Sequence, residues 1–539
     1  MIDKGKLRGK LFRHLDGLVT APVLIALYDA DVISYIMGKR QIILRNIVKE
    51  FNANEGYMNV ALRVLSSQGL LIQNKTSDEN EIQFSLTEKG TILFANVAVY
   101  KGVVALMKMS GNFHPRKFEI EPFQALNVLF NQYKNKFDLS LNASELEREV
   151  QEEILAHIEG CLVGPTLVHL GMGGMFHKYF METSFRPDEF HEDPESFKKL
   201  LDFLAYLGWF TEKNGTYEFT ETGLFFAKRA SAYGVTVSYM PTFRNLDVML
   251  FGNPETLRAN ELNSDEIHVD REMNVWGSGG AHSNYFKVVD EIILALFNKP
   301  IEEQPKGILD MGCGNGAFLE HMFTVIERQT LRGSMLDSHP LFLVGADFNQ
   351  AALKVTRRNL IKADIWAKII WGDIGQPDLL AVNLKENYNI DLSELLNVRT
   401  FLDHNRIWQD PKNIDPNRLS LSSGAFAHRG RRIENRFVED NLLEHMSKWT
   451  PYVSKFGLLL IELHTVSPDI VARSLGKTAA TAYDATHGFS DQYIVEIEVF
   501  HKVCAEAGLV SDEQVFTKFP NSELATVSIN LMKGALICL

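Results

Sequence analysis

Near the middle of the chain, Gly307-Ile-Leu-Asp310-Met-Gly312-Cys-Gly314-Asn-Gly316-Ala-Phe-Leu carries an apolar strand into a turn with glycine at every second position. Helix-spaced apolar residues follow at once: Phe318, Leu319, Met322, Phe323 and Ile326. Glycines so spaced let the backbone reverse tightly and let a ligand approach the main chain. A strand, such a turn and a helix, in that order, open a doubly wound nucleotide-binding sheet. Strand-like runs at 341–344, 369–370, 397–402, 457–461 and 525–529 then alternate with helix-like segments. That alternation predicts a mostly parallel sheet covered by helices.

The glycine turn alone does not choose between dinucleotides and S-adenosylmethionine; the acids around it do. Asp310 stands at the end of the first strand, where it can meet the ammonium group of an amino-acid ligand. Asp347, in Gly345-Ala-Asp-Phe348, closes the second strand and can take both ribose hydroxyls. It lies further along than the usual spacing of about 20 residues, because the polar stretch 329–340 intervenes. Asp373, in Trp371-Gly372-Asp-Ile374, closes the third strand and can accept from an adenine amino group. Any one of these could be a helix cap, but three in register point to S-adenosylmethionine. Asp310, Gly312, Gly314, Asp347, Phe348, Gly372, Asp373 and Ile374 are therefore the expected cofactor residues. The three segments, 305–375, resemble the first three motifs of class I methyltransferases.

The first half of the chain reads differently. Val64-Leu-Ser-Ser-Gln-Gly69-Leu-Leu71 matches Phe203-Leu-Ala-Tyr-Leu-Gly208-Trp-Phe210, and Phe84-Ser-Leu-Thr-Glu-Lys-Gly90 matches Tyr217-Glu-Phe-Thr-Glu-Thr-Gly223. Helices followed by a two-stranded hairpin, met twice, predict two winged-helix-like units. The fold class expected is an α/β Rossmann-like class I methyltransferase domain behind a mainly α-helical region with two such units. The ranges are 1–100 and 165–260 for the winged-helix-like units, 101–164 for a helical connector, 261–304 for a covering or linking segment and 305–539 for the methyltransferase domain. Within the covering segment, Asn274-Val-Trp276-Gly277-Ser278-Gly-Gly-Ala-His-Ser-Asn-Tyr285-Phe286 could form a backbone nest over the cofactor's carboxylate or serve only as a linker.

Winged helices often bind DNA, but the chain carries 68 acidic against 55 basic residues, a net charge of -13, and no basic cluster lies on the helix before Gly69. No nucleic-acid partner is expected. Nor is a membrane partner, since no run of about 18 uninterrupted apolar residues occurs. Cys161, Cys313, Cys504 and Cys538 are too few and scattered for a disulfide scaffold or zinc ribbon. They fit a reducing cytoplasm.

In a doubly wound sheet the chemistry sits at the carboxyl ends of the strands. Asp403-His404-Asn-Arg406 follows the fourth strand and Glu462-Leu-His464 ends the fifth, while Tyr483-Asp-Ala-Thr-His487-Gly-Phe-Ser-Asp-Gln492-Tyr493 lies beyond. His404, His464 and His487 are candidate general bases, having a pKa near working pH. Alternatively, two histidines with a carboxylate or amide could hold an iron or manganese ion acting as Lewis acid.

The segments Thr400-Phe-Leu-Asp-His-Asn-Arg406, Phe456-Gly-Leu-Leu-Leu-Ile-Glu-Leu-His464 and 478–493 resemble the carbon-methylating domains of polyketide synthases, and among them the apratoxin-type loading-module methyltransferases. Trp276–His282 is similar to their cofactor-covering segment. The resemblance implies C-methylation of a malonyl-type acyl group on an acyl carrier protein, assisted by one iron or manganese ion. It further implies His464 and Gln492 as metal ligands, with Asp403 or His487. The basic cluster at Arg429, Arg431 and Arg432 could steer an acidic carrier. Two other functions suit parts of the sequence: a small-molecule O-methyltransferase with a histidine base, and a winged-helix DNA-binding regulator.

Overall fold

In the computed structural model, residues 2–74, 81–109, 119–139, 144–258 and 266–535 are described, with only the backbone at 279–284. The glycine turn follows β1 (Gly307–Met311), every residue of which is buried. Six further strands complete the path of the sheet: β2 (Phe342–Asp347), β3 (Lys368–Trp371), β4 (Leu395–Thr400), β5 (Leu458–Leu463), β6 (Leu509–Ser511) and, after an eighth strand β7 (Thr517–Phe519), β8 (Val527–Gly534). Their order is β6-β8-β5-β4-β1-β2-β3, with β7 also paired to β8. Strands β3, β2, β1, β4 and β5 run parallel, and β8 is antiparallel to β5. Strands buried on both faces read as continuous apolar runs, which is why β1 and β5 stood out in the sequence. The chain direction around β1 changes sides between β1 and β4. That switch point opens a crevice at the carboxyl ends of the strands.

Two compact units interleave along the chain. Unit 2 comprises 283–424, 434–466 and 492–539 and holds this sheet; unit 1 comprises 1–282, 425–433 and 467–491. The two short late segments belong to unit 1 because its side chains take up theirs: Arg63 Nε donates to Asp484 at 2.9 Å, Gln68 to the Thr481 hydroxyl at 2.8 Å, and the Tyr57 hydroxyl to Asp491 at 2.7 Å.

Unit 1 contains both winged-helix-like units, and their likeness reaches individual atoms. In the first, helix Glu55–Ser67 leads into antiparallel strands Leu71–Asn74 and Gln83–Leu86, with Gln41–Ile43 as a third strand. The expected wing turn at 75–80 lies outside the described residues. In the second, helix Pro194–Tyr206 leads into the hairpin Phe210–Lys213 and Thr216–Phe219. Thr87 accepts from the Gly90 N–H at 2.8 Å and donates to the Gly69 carbonyl at 2.8 Å. Thr220 does the same with Gly223 at 3.0 Å and Gly208 at 2.7 Å. A Cβ on Gly90 would lie 2.1 Å from the Leu70 carbonyl oxygen, and one on Gly223 2.0 Å from that of Trp209. The shared T-x-x-G pattern thus marks the same cap and the same backbone contact in both copies.

Two expectations need correction. Residues 274–286, read as a nest or linker, lie inside one helix, α1 (Arg271–Phe297). Interior helical N–H groups are spent on the helix itself, so no nest forms. The glycine at 277 serves packing within unit 1: its added Cβ would sit 2.6 Å from the Val235 nitrogen, and one on Gly234 would sit 2.5 Å from the Gly277 Cα. Second, helices Lys4–Asp29 and Glu145–Met172 are long and apolar enough, by length and composition, to cross a membrane. Isolated polar residues break up the apolar run without lowering its mean hydropathy below the spanning range. In the structure 78% and 72% of these windows are buried inside the protein.

Candidate active site

The turn after β1 is closed by β2. Gly312, Gly314 and Gly316 have φ of +79°, +55° and +82°, and Asp347 Oδ2 accepts from the Gly314 N–H at 3.0 Å. A Cβ added at Gly314 would meet nothing within 4 Å, so the turn leaves open space above its backbone. Asp310, 2% exposed, receives no hydrogen bond from any described residue. Burial, with the nearby Asp347 charge, pushes its carboxyl up to about 7. An orphaned buried carboxylate beside an open glycine turn fits a ligand that brings a cation. Asp347 Oδ1 also accepts from the Asn349 N–H at 2.8 Å. Phe348 is exposed and packs at 5.6 Å on the exposed Trp371, whose indole donates to the Phe348 carbonyl at 3.0 Å. Asp373 is half-buried between buried Gly372 and Ile374. It accepts from the Gly375 N–H and the Gln376 amide, each at 2.8 Å. In this state it caps its own turn.

Of the covering segment, Trp276, Gly277 and Ser278 belong to unit 1, where a Cβ on Gly171 would meet the Trp276 ring at 2.9 Å. Tyr285 belongs to unit 2, its ring edge-on to Phe401 at 6.0 Å and Phe519 at 5.0 Å.

Across the switch point from the glycine turn, Asp403 and His404 form a single 3-10 turn just past β4. His404 Nδ1 meets Glu462 Oε1 at 2.5 Å. Glu462 is fixed in turn: Oε1 accepts from its neighbour Leu463 N–H at 2.7 Å and Oε2 from the Asp403 N–H at 2.9 Å. The Tyr493 N–H donates to the His404 carbonyl at 2.8 Å. Both His404 and Glu462 line a small cavity with Asp403, Arg406, Leu442, Leu463, Tyr493, Val495 and Phe500. Helix α2 (Asn435–Val453) contributes Leu442 to this lining and carries Val438, His445 and Trp449 on the same buried face.

Glu462 was not among the expected site residues. The signal was present: one acid in the otherwise apolar strand Leu-Leu-Leu-Ile-Glu-Leu. A charge buried in a central strand needs a partner, and His404 is that partner.

Two of the expected metal ligands, His464 and Asp403, are taken up by other partners. Both ring nitrogens of His464 are engaged, Nδ1 with the Val495 carbonyl at 3.1 Å and Nε2 with the Ser528 hydroxyl at 2.7 Å. Burial lowers its pKa to about 3, so it is a neutral staple between β5 and β8. Asp403 Oδ1 takes the Arg399 guanidinium at 2.5 Å and His445 Nε2 at 2.8 Å. Burial would raise its pKa, but Arg399 and His445 hold it well below the usual carboxylate range. Gln492 is buried in unit 2, next to Tyr493. His487 lies in unit 1, on helix Ala480–Gly488, its Nδ1 2.8 Å from the Tyr483 carbonyl. Among the described residues no group of three or more His, Cys, Asp or Glu could hold a metal ion. The basic cluster is likewise spent within unit 1: Arg429 pairs with Glu255 at 2.9 Å and Arg432 with Glu55 at 2.8 Å.

Comparison with known families agrees with this architecture. The family model described as the AprA MT2-like domain matches residues 266–530, that of the AprA winged helix domain 159–253, and that of the AprA N-terminal domain 7–73. The chain belongs to the AprA-type methyltransferases. As an AprA-type protein it is an S-adenosylmethionine-dependent methyltransferase of the polyketide-methylating kind, with a class I core behind a winged-helix region. Among solved structures, the CurJ carbon methyltransferase is 12% identical (76% of this chain, 99% of that one, TM-score 0.33). The CMeT domain of the citrinin polyketide synthase is 11% identical (69% and 94%, TM-score 0.36). An O-methyltransferase family 2 protein from Planctomyces limnophilus DSM 3776, in complex with apigenin, is 11% identical (99% and 97%, TM-score 0.38). With TM-scores this low, nothing about the AprA-type chain's substrate follows from them. No curated protein matches the chain.

Proposed function

We propose that this enzyme methylates the α-carbon of a malonyl-type acyl group carried on the arm of an acyl carrier protein. The observation behind this is the His404–Glu462 pair, held at 2.5 Å at the carboxyl end of the sheet beside the glycine turn. When bound, S-adenosylmethionine supplies an electrophilic methyl group. Asp310 receives the cofactor's ammonium, which offsets the charge its burial leaves uncompensated. Asp347 takes the ribose hydroxyls, and Asp373 with Gly372 and Ile374 borders the adenine. Phe348 covers one face.

His404 removes the proton from the acceptor carbon at Nε2. Glu462, bonded to Nδ1, fixes the ring orientation and stabilises the imidazolium that forms. The electron pair left on carbon makes the new C–C bond as the sulfonium–methyl bond breaks, and the proton stays on His404. A positioned base of this kind contributes about 10²–10⁴-fold. Holding donor and acceptor at near-attack distance contributes further. No step requires a metal ion.

Incubation with S-adenosylmethionine and either a malonyl-loaded carrier protein or a phenolic acceptor, read by intact mass, tests the proposal. The expected result is one added methylene mass on the loaded carrier and none on the phenol. Methylation of the phenol alone would establish the O-methyltransferase reading instead.

A further inference from the structure

Two residues beyond His404, Arg406 lines the same cavity and is 5% exposed. Its Nε donates to Asn441 Oδ1 at 2.6 Å, one terminal nitrogen to the Asp403 carbonyl at 2.9 Å, and the other to the Val438 carbonyl at 3.4 Å. The Asn441 amide is oriented for this by its own donation to the Gln409 carbonyl at 2.7 Å. Tyr493 stacks near the guanidinium at 5.6 Å. All these partners are neutral. The nearby carboxylates make their ion pairs with other groups, Asp403 with Arg399 and His445 and Glu462 with His404, and reach Arg406 only through space. Arg406 therefore has no ion pair with any described residue, and one N–H on each terminal nitrogen has no partner among the described residues. Burying a cation without a contacting anion is costly: burial lowers the Arg406 pKa to about 10, even though Tyr493, Asp403 and Glu462 act to raise it. Two N–H groups left over on a buried guanidinium suit an anionic oxygen ligand such as a carboxylate.

Resting on the carrier-bound malonyl reading above, we infer that Arg406 binds the free carboxylate of the acyl group and so selects malonyl-type units over acyl chains that lack one. The chemistry joins the two side chains. In a malonyl unit the reacting carbon is bonded directly to the carboxylate carbon. An anchor two residues from the base therefore brings that C–H to His404. The guanidinium also offsets the carboxylate charge, which would otherwise oppose loss of a second proton. The carrier arm's phosphate is another anion, but it lies a full pantetheine length from the acyl group.

The test is calorimetric binding of malonyl-pantetheine, acetyl-pantetheine and acetyl-phosphopantetheine to the full chain. The wild type should bind malonyl-pantetheine about tenfold or more tighter than acetyl-pantetheine, and acetyl-phosphopantetheine should gain no comparable preference. Arg406→Gln should bring the malonyl-to-acetyl ratio near one by weakening malonyl-pantetheine binding more than acetyl-pantetheine binding, a selective loss that a general destabilisation would not produce. Arg406→Lys should restore part of the ratio. Equal wild-type affinity for the malonyl and acetyl compounds would overturn the inference even if no variant folds. So would an Arg406→Gln protein that keeps the preference, or a preference that follows the phosphate. A malonyl preference in an enzyme that transfers no methyl to any carrier would instead uphold the carboxylate site and refute the proposed reaction.

Discussion

Glu159 in unit 1 and Asp310 in unit 2 are both buried carboxylates, each 2% exposed, and their surroundings shift them in opposite directions. Burial would raise both. At Glu159, hydrogen bonding to His14 and the Lys10 ammonium at 2.6 Å bring the pKa down to about 2. Burial lowers the pKa of His14 itself, so Lys10 is the cation that matters. At Asp310 no partner answers among the described residues, and the pKa rises to about 7. The same division holds for cations: Arg63 in unit 1 has Asp484 at 2.9 Å, whereas Arg406 in unit 2 has no ion-pair partner among the described residues. Buried charge that is paired holds the fold together; buried charge left unpaired at the carboxyl end of the sheet waits for a ligand.

The largest effect should come from breaking a pair. Asp484→Ala removes the carboxylate that pairs with buried Arg63 and should cost about 3–5 kcal/mol, read as a large fall in the denaturation midpoint with no specific loss of cofactor affinity. Next, Asp310→Asn should do the opposite: raise the midpoint, because an uncompensated charge is removed, and weaken S-adenosylmethionine binding. A hydrogen bond to a charged group is worth about 1.5–3 kcal/mol, so calorimetry should show a loss of about 10- to 150-fold. A variant that binds the cofactor as tightly as wild type would remove Asp310 from the site.

The pH dependences should also diverge. Glu159 has a lowered pKa, so its stabilisation is present above 4.5 and is lost as pH falls toward about 2. Asp310 has a raised pKa, so the native state holds a proton the unfolded chain has shed; its contribution to stability falls as pH rises from 3.8 to about 7. Cofactor affinity should rise over the upper part of that range, as the carboxylate ionises, and level off above about 7. Asp310→Asn should abolish both trends. The smallest effects belong to the repeated caps: Thr87→Ala and Thr220→Ala should each cost about 1 kcal/mol, and nearly the same amount, since the two threonines make the same two contacts. Unequal costs would mean the copies differ in how their hairpins are held.

Much of this was legible in the sequence where local pattern decides. The glycine turn, the buried strands and the T-x-x-G repeats appear in the structure where they were read. Tertiary contact defeated the rest. Gly277 looked like part of a loop because helix propensity disfavours glycine, yet a close backbone approach to Gly234 requires it inside a helix. His464 stood at a strand end, as a ligand would, but only the fold shows both its nitrogens already bonded. Glu462 and Arg406 sat in plain view, and no local pattern gives the partner that one has and the other lacks. The interleaving of the two units through 425–433 and 467–491 is of the same kind, since periodicity carries no record of distant partners.

The central claim, that His404 poised by Glu462 is the base, is most directly tested by single-turnover methyl transfer to a malonyl-loaded carrier. The rate of His404→Ala should be compared with that of the wild type, both preloaded with S-adenosylmethionine. The variant should bind the cofactor normally and transfer the methyl group about 10²–10⁴-fold more slowly. Transfer at the wild-type rate would contradict the account.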